Sequence, residues 1–111
     1  MAYQNITPKK LGQGGITGAV TTLYTVPAST RTLVKDIDVV NTTAGALTID
    51  IYLVPSGGSA GTTNALFYGY SINANSNLQW TGTQIMDAGD TIQIKASGVG
   101  CTIHASGGEA V

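Results

Sequence analysis

The sequence predicts an all-β protein, an antiparallel β-sandwich of about seven or eight short strands with an extended N-terminal arm. Three observations carry this. Apolar residues recur at every second position in several separate runs, the signature of a strand with one face buried. No window of eleven or more residues keeps apolar positions at i, i+3, i+4 and i+7 without a Gly, a Pro or a run of Thr inside it, so helices are not expected. Turn-forming clusters punctuate the chain at short, regular intervals, which suits a sandwich or barrel and leaves no room for the long crossovers of a parallel sheet.

Residues 1–18, MAYQNITPKKLGQGGITG, show no sustained alternation and contain Pro8 and four glycines. Glycine loses more backbone freedom than any other residue when fixed, so this segment is costly to order alone. It is expected to be an arm, with residues 19–111 forming the sandwich domain. Two readings of the arm fit its composition: a frayed terminus, or a segment that orders on a neighbouring surface through Tyr3, Ile6, Leu11 and Ile16, with Lys9 and Lys10 supplying charge.

Strands are expected near 20–26, 31–41, 46–54, 65–72, 78–85, 91–96 and 101–106. Leu47, Ile49, Ile51 and Leu53 alternate with Thr48, Asp50, Tyr52 and Val54; Leu66, Tyr68, Tyr70 and Ile72 repeat the pattern, as do Ile92, Ile94 and Ala96, and Cys101, Ile103 and Ala105. The intervening segments VPAST, NTTAG, PSGGSAGTTN, NANSN, DAGD and SGVG are rich in the residues that turns require. Leu78 and Trp80 share a phase, which suits an indole buried in the core or at a subunit contact, with a ligand-stacking platform as the alternative.

Composition narrows the function. Of 111 residues, 42% are apolar and only 10% charged, with a net charge of −1, so nothing steers the chain toward nucleic acid or an anionic membrane. MAYQNITPKK lacks the apolar core of a signal peptide, and no run approaches the ~18 apolar residues that span a bilayer. The expectation is a soluble protein made in the cytoplasm. A single cysteine, Cys101, excludes an internal disulfide.

Catalytic and metal motifs are missing. There is no GxSxG elbow, P-loop, HExxH or cysteine pair, and GQGG at 12–15 lacks the Lys-Ser/Thr of a phosphate loop. His104 is out of phase with Cys101, Ile103 and Ala105 and points outward, with no placed nucleophile to activate. No catalytic residue, metal site or cofactor is expected, and the chain is not expected to be an enzyme.

The stretch VKDIDVVNTTAGALTIDIYLV reads as a β-hairpin that gathers Asp36, Asp38 and Asp50 on one face. With the apolar residues of both strands turned the same way, Asp50 falls opposite Asp36 or Asp38, a like-charge pairing that costs ~0.2–1 kcal/mol. The same face would carry Val34, Val40, Tyr52 and Val54, a mixture suited to another protein surface that covers the apolar part and supplies positive charge. Simple exposure to solvent also accommodates it. The candidate interface residues are therefore Tyr3, Ile6, Lys9, Lys10, Asp36, Asp38, Asp50 and Tyr52.

The run TLYTVPASTRTLVKDIDVVNTTAGALTIDIYLVPSGGSAG, followed by NALFYGYSINANSNLQWTG, AGDTIQIKAS and the tail SGGEAV, resembles small virion structural proteins of tailed bacteriophages, of the capsid decoration or cement type. The resemblance covers nearly all of the chain from Thr22 onward. It implies a β-sandwich that binds the major capsid protein on the outer surface of the virion, as a homo-oligomer such as a trimer or dimer, without nucleic acid or membrane. It implies equally a place in a tail or fibre assembly, as a structural or receptor- and glycan-binding module.

Overall fold

The computed structural model describes residues 5–111, which fold into eight strands and one short 3-10 turn, Thr62–Asn64. The strands are β1 (Ile6–Ile16), β2 (Thr21–Thr25), β3 (Arg31–Asn41), β4 (Leu47–Val54), β5 (Ala65–Ile72), β6 (Ser76–Met86), β7 (Thr91–Ala96) and β8 (Cys101–Ala110). They form two four-stranded sheets, ordered β1-β8-β3-β6 and β2-β7-β4-β5, with every pairing antiparallel. The all-β sandwich expected from the alternation is the observed architecture.

Connectivity departs from the hairpin reading. Successive strands change sheet at every step except β4 to β5, so tight turns bridge the two layers instead of joining partners within one. This is a jelly roll. β3 pairs with β6 and β8, and β4 with β5 and β7; β3 and β4 do not pair with each other. The link between them is organised by Asn41, whose side chain is fully buried. Its Nδ2 donates to the carbonyls of Gly45 and Ile72 at 2.9 and 3.0 Å, and its Oδ1 accepts the amide and hydroxyl of Thr43 at 2.9 and 2.7 Å. A buried amide satisfied in this way fixes the turn, because leaving any of these groups unpaired would cost ~1–3 kcal/mol.

The core lies between the sheets. Ile37, Val39 and Ile103 from the first sheet meet Ile49, Ile51 and Ile92 from the second, all with no exposed surface. Trp80 packs against this cluster from β6, as its phase predicts, though it remains half-buried.

The segment set apart as an arm contains a sheet strand. β1 pairs with β8 from Ile6↔Ala110 to Ile16↔Cys101, with a bulge between Lys10 and Gly12. The bulge turns Leu11 inward, and Leu11 and Ile16 are 3% and 1% exposed within this chain's own core. Burying two such side chains contributes roughly 1.5–3 kcal/mol each. That exceeds the ~0.5–1 kcal/mol per glycine for fixing Gly12, Gly14 and Gly15, and the ladder adds to it. Gly12 is also required by space: a Cβ there would lie 2.4 Å from Cγ of Leu23 on β2. Ile6 alone of the apolar residues read as anchors on described positions stays outward, at 64% exposure.

Candidate functional site: two polar faces

The expected cluster of three aspartates does not form. β3 lies in the first sheet and β4 in the second, and both carry their aspartates on the side away from the core, so Asp36 and Asp38 face one way and Asp50 the opposite way. The like-charge pairing drawn from a β3–β4 hairpin is therefore replaced by other neighbours. Asp36 is flanked by Thr81 and Ser106, Asp38 by Gln79 and His104, and Asp50 by Lys95. Among the described residues no three His, Cys, Asp or Glu side chains come together as metal ligands.

The apolar half of the expected face is also relocated. Val34 and Val54 are in the interior, at 0% and 1% exposure. The cause in β3 is a bulge at Lys35, which interrupts pairing with both β6 and β8 between Val34 and Asp36. One extra residue reverses the in–out phase, so Val34 joins Ile37 and Val39 inside while Leu33 is only half-buried. The bulged Lys35 projects outward and its Nζ donates to Thr83 Oγ1 at 2.7 Å.

Asp50 performs a local task. Its Oδ1 accepts the amide of Gly69 at 2.6 Å and its Oδ2 accepts the hydroxyl of Tyr52 at 2.9 Å. Gly69 sits where β5 slips register between Ile49 and Ile51 of β4, with φ of +63°, a conformation that favours glycine. The carboxylate thus satisfies a backbone donor that the irregular ladder leaves over. Tyr52 is 5% exposed, and its hydroxyl is pushed up to about 12 by burial first, then by the hydrogen bond to and the charge of Asp50. Asp50 and Tyr52 are thereby committed within the chain.

The first sheet's outer face is open and polar. Cross-strand rows run Gln13, His104, Asp38, Gln79 and Lys10, Ser106, Asp36, Thr81 over all four strands. A shallow groove of about 530 Å³ lies along β1 and β8, lined by Lys9, Lys10, Lys35, Asp38, His104 and Ser106 among others. Its lining thus includes three lysines and one aspartate on a chain of net charge −1, with the Lys35 ammonium turned toward β6. Asp36, beside the groove, keeps one buried oxygen, Oδ1, with no hydrogen-bond partner among the described residues.

The structure thus brings Lys10, Asp36 and Asp38 to one face, with Lys9 among the residues that line its groove, places Asp50 and Tyr52 on the other sheet, and leaves Ile6 exposed near the end of β1. Tyr3 lies outside the described residues. Lys35 and His104 were missed as members of this face. Outward phase was legible for His104, but Lys35 joins only because of its bulge, which no local pattern announces.

No protein-family profile matches the sequence, and no curated protein matches it. Among solved structures, the chain is similar to one in the structure of infectious bursal disease virus strain Gx, with a TM-score of 0.52, 13% identity, and coverage of 96% of this chain and 32% of that one. It is similar also to a chain of strain Gt, at TM-score 0.50, 14% identity and 96% and 31% coverage. A chain of the T13 particle of the same virus gives 0.50, 13%, and 96% and 30%. The protein spans about a third of the length of these chains, and at such identities the likeness is one of fold.

Proposed function

We propose that this protein is a virion structural protein of the decoration type, which seats on the outer surface of an assembled phage capsid and reinforces it. The observation that carries the reading is the jelly roll itself, alignable over 96% of its length with chains of a virus particle. Because jelly rolls also serve as lectins and cupins, the surface chemistry supplies the second support. It is an open, mostly uncharged polar face that carries a shallow groove.

In this reading the outer face of the first sheet meets the major capsid protein. Lys9, Lys10 and Lys35 offer charge to acidic groups, and Asp38 and Asp36 fix register by accepting hydrogen bonds. Neutral Thr, Ser, Gln and Asn side chains lose less on desolvation than charged ones, so a face dominated by them can be covered at low cost. A protein that binds the assembled lattice and not its free subunits stabilises the lattice by mass action. Repetition over the shell turns weak single contacts into a strong collective one. No turnover is part of this role.

The test is to add the purified protein to particles that lack it, then measure co-sedimentation and the temperature of genome release. Saturable binding and a raised release temperature are expected. A chain that never sediments with any particle form of its source phage would sink the reading.

A second reading has its own observation. Tyr68 and Tyr70 on β5 are 64% and 46% exposed, next to the Asp50–Tyr52 pair, and exposed aromatics with nearby hydrogen-bonding groups can stack on sugar rings. This fits a tail- or fibre-borne glycan-binding module. A glycan array separates the two: selective sugar binding lost on Tyr68→Ala would favour it.

A further inference from the structure

We propose that β6 joins two copies of this chain, the Asn77–Thr81 run of each pairing antiparallel with its counterpart about a two-fold axis at Gln79, so that Asn77 faces Thr81 and the two first sheets merge into one of eight strands. The sheet orders leave four edges, β1 and β6 in one sheet and β2 and β5 in the other. Edge strands present unpaired amides and carbonyls, and natural proteins blunt them with Pro, Lys, bulges or short length.

Three of the four edges are blunted. β1 carries Pro8, Lys9 and Lys10. β2 is five residues long with a register shift inside it. β5 is interrupted at Gly69, where the Asp50 carboxylate takes up the displaced amide. β6 is the exception. It runs eleven residues, SNLQWTGTQIM, with no charge and no proline. Its pairing with β3 is regular from Ser76↔Asn41 to Thr81↔Asp36, and the irregularity falls beyond that, at Gly82 and Thr83.

The occupant follows from the side chains. A strand that pairs with its own copy sets each residue against the same sequence reversed, so a charge at or beside the two-fold axis meets its like. The exposed residues of this run are Asn77, Gln79 and Thr81, each both donor and acceptor, so they can hydrogen-bond to their own kind. β6 lies over β5, and this flank is incompletely covered: Trp80 and Phe67 are half-buried, and Tyr70, edge-on to Phe67 at 5.6 Å, is 46% exposed. A second copy would cover those rings while completing the backbone ladder. Antiparallel pairing in the sheet plane places the two-fold axis along the sheet normal, so both outer faces, with both lysine grooves, point the same way. The use of that bivalence on a capsid rests on the function proposed above; the pairing does not.

Light scattering on the eluting protein tests this, the expected species having twice the chain mass of 11.3 kDa. Gln79→Lys with Thr81→Lys opposes like charges across the axis and is expected to raise the dissociation constant about tenfold or more, while Gln13→Lys on β1 leaves it unchanged. Circular dichroism melting establishes that each variant is folded. Gln79→Cys is expected to cross-link the two copies under oxidation, with Cys101 buried and silent. A monomer up to about 100 µM, or a dimer indifferent to the β6 lysines, would overturn the proposal. A wild-type monomer that still sediments with particles overturns the pairing and leaves the decoration role. A β6-dependent dimer that ignores particles does the reverse.

Discussion

The hydroxyl of Tyr24 on β2 reaches across the sandwich to donate to the Glu109 carboxylate on β8, and the same oxygen lies 2.7 Å from Thr32 Oγ1 on β3. One side chain thereby ties the two sheets together through polar contacts at the periphery of an apolar core. Tyr24 and Tyr52 share a consequence: burial leads in raising both hydroxyls to about 12, with Glu109 and Asp50 respectively assisting.

Alkaline stability follows from that pair. A tyrosine held protonated to about pH 12 in the folded state but only to 10 when unfolded gives stability that is fully present below pH 10 and lost as pH rises toward 12. Urea midpoints measured from pH 9 to 11.5 should fall steadily above pH 10. The double variant Tyr24→Phe/Tyr52→Phe should start lower and flatten that slope; an unchanged slope would contradict the assignment.

Asp50 is expected to matter for stability more than for any partner. Asp50→Ala strands the Gly69 amide and the Tyr52 hydroxyl and should cost about 1–3 kcal/mol in equilibrium unfolding. Asp50→Asn, which keeps one acceptor oxygen, should lose less. Equal losses from the two would argue against the carboxylate's role in the β5 bulge.

Gly107 tests the packing of β8 between its neighbours. A Cβ there would lie 1.8 Å from the Leu33 carbonyl oxygen, a backbone atom on β3 that cannot step aside. Gly107→Ala should therefore destabilise by more than about 4 kcal/mol or abolish soluble expression, whereas Gly45→Ala, with open space around its Cβ, should stay within about 0.5 kcal/mol. Thermal melts of the two variants check this.

Charge reversal separates the two polar faces. Lys9→Glu with Lys10→Glu should weaken particle binding about tenfold or more at low salt, with the difference shrinking as salt is raised. Asp50→Lys should affect unfolding and leave the particle affinity of the folded fraction unchanged. Equal effects on binding would place the contact surface elsewhere.

Alternation of small and β-branched residues determined that the chain is all-β, and it located most strands, because period two is imposed by the pleat on every residue of a half-buried strand. It also turned His104 outward and Trp80 inward. Tertiary structure decided the rest. Whether the turn after Asn41 returns within a sheet or crosses to the other depends on carbonyls at Gly45 and Ile72, the second of them thirty-one positions away. The phase of Val34 depends on a bulge created by two flanking strands. The glycine-rich start of the chain becomes β1 because β8, ninety or so residues later, supplies a ladder and a pocket for Leu11. Each of these is a contact between distant segments whose free energy outweighs the local preference, and no local pattern encodes it.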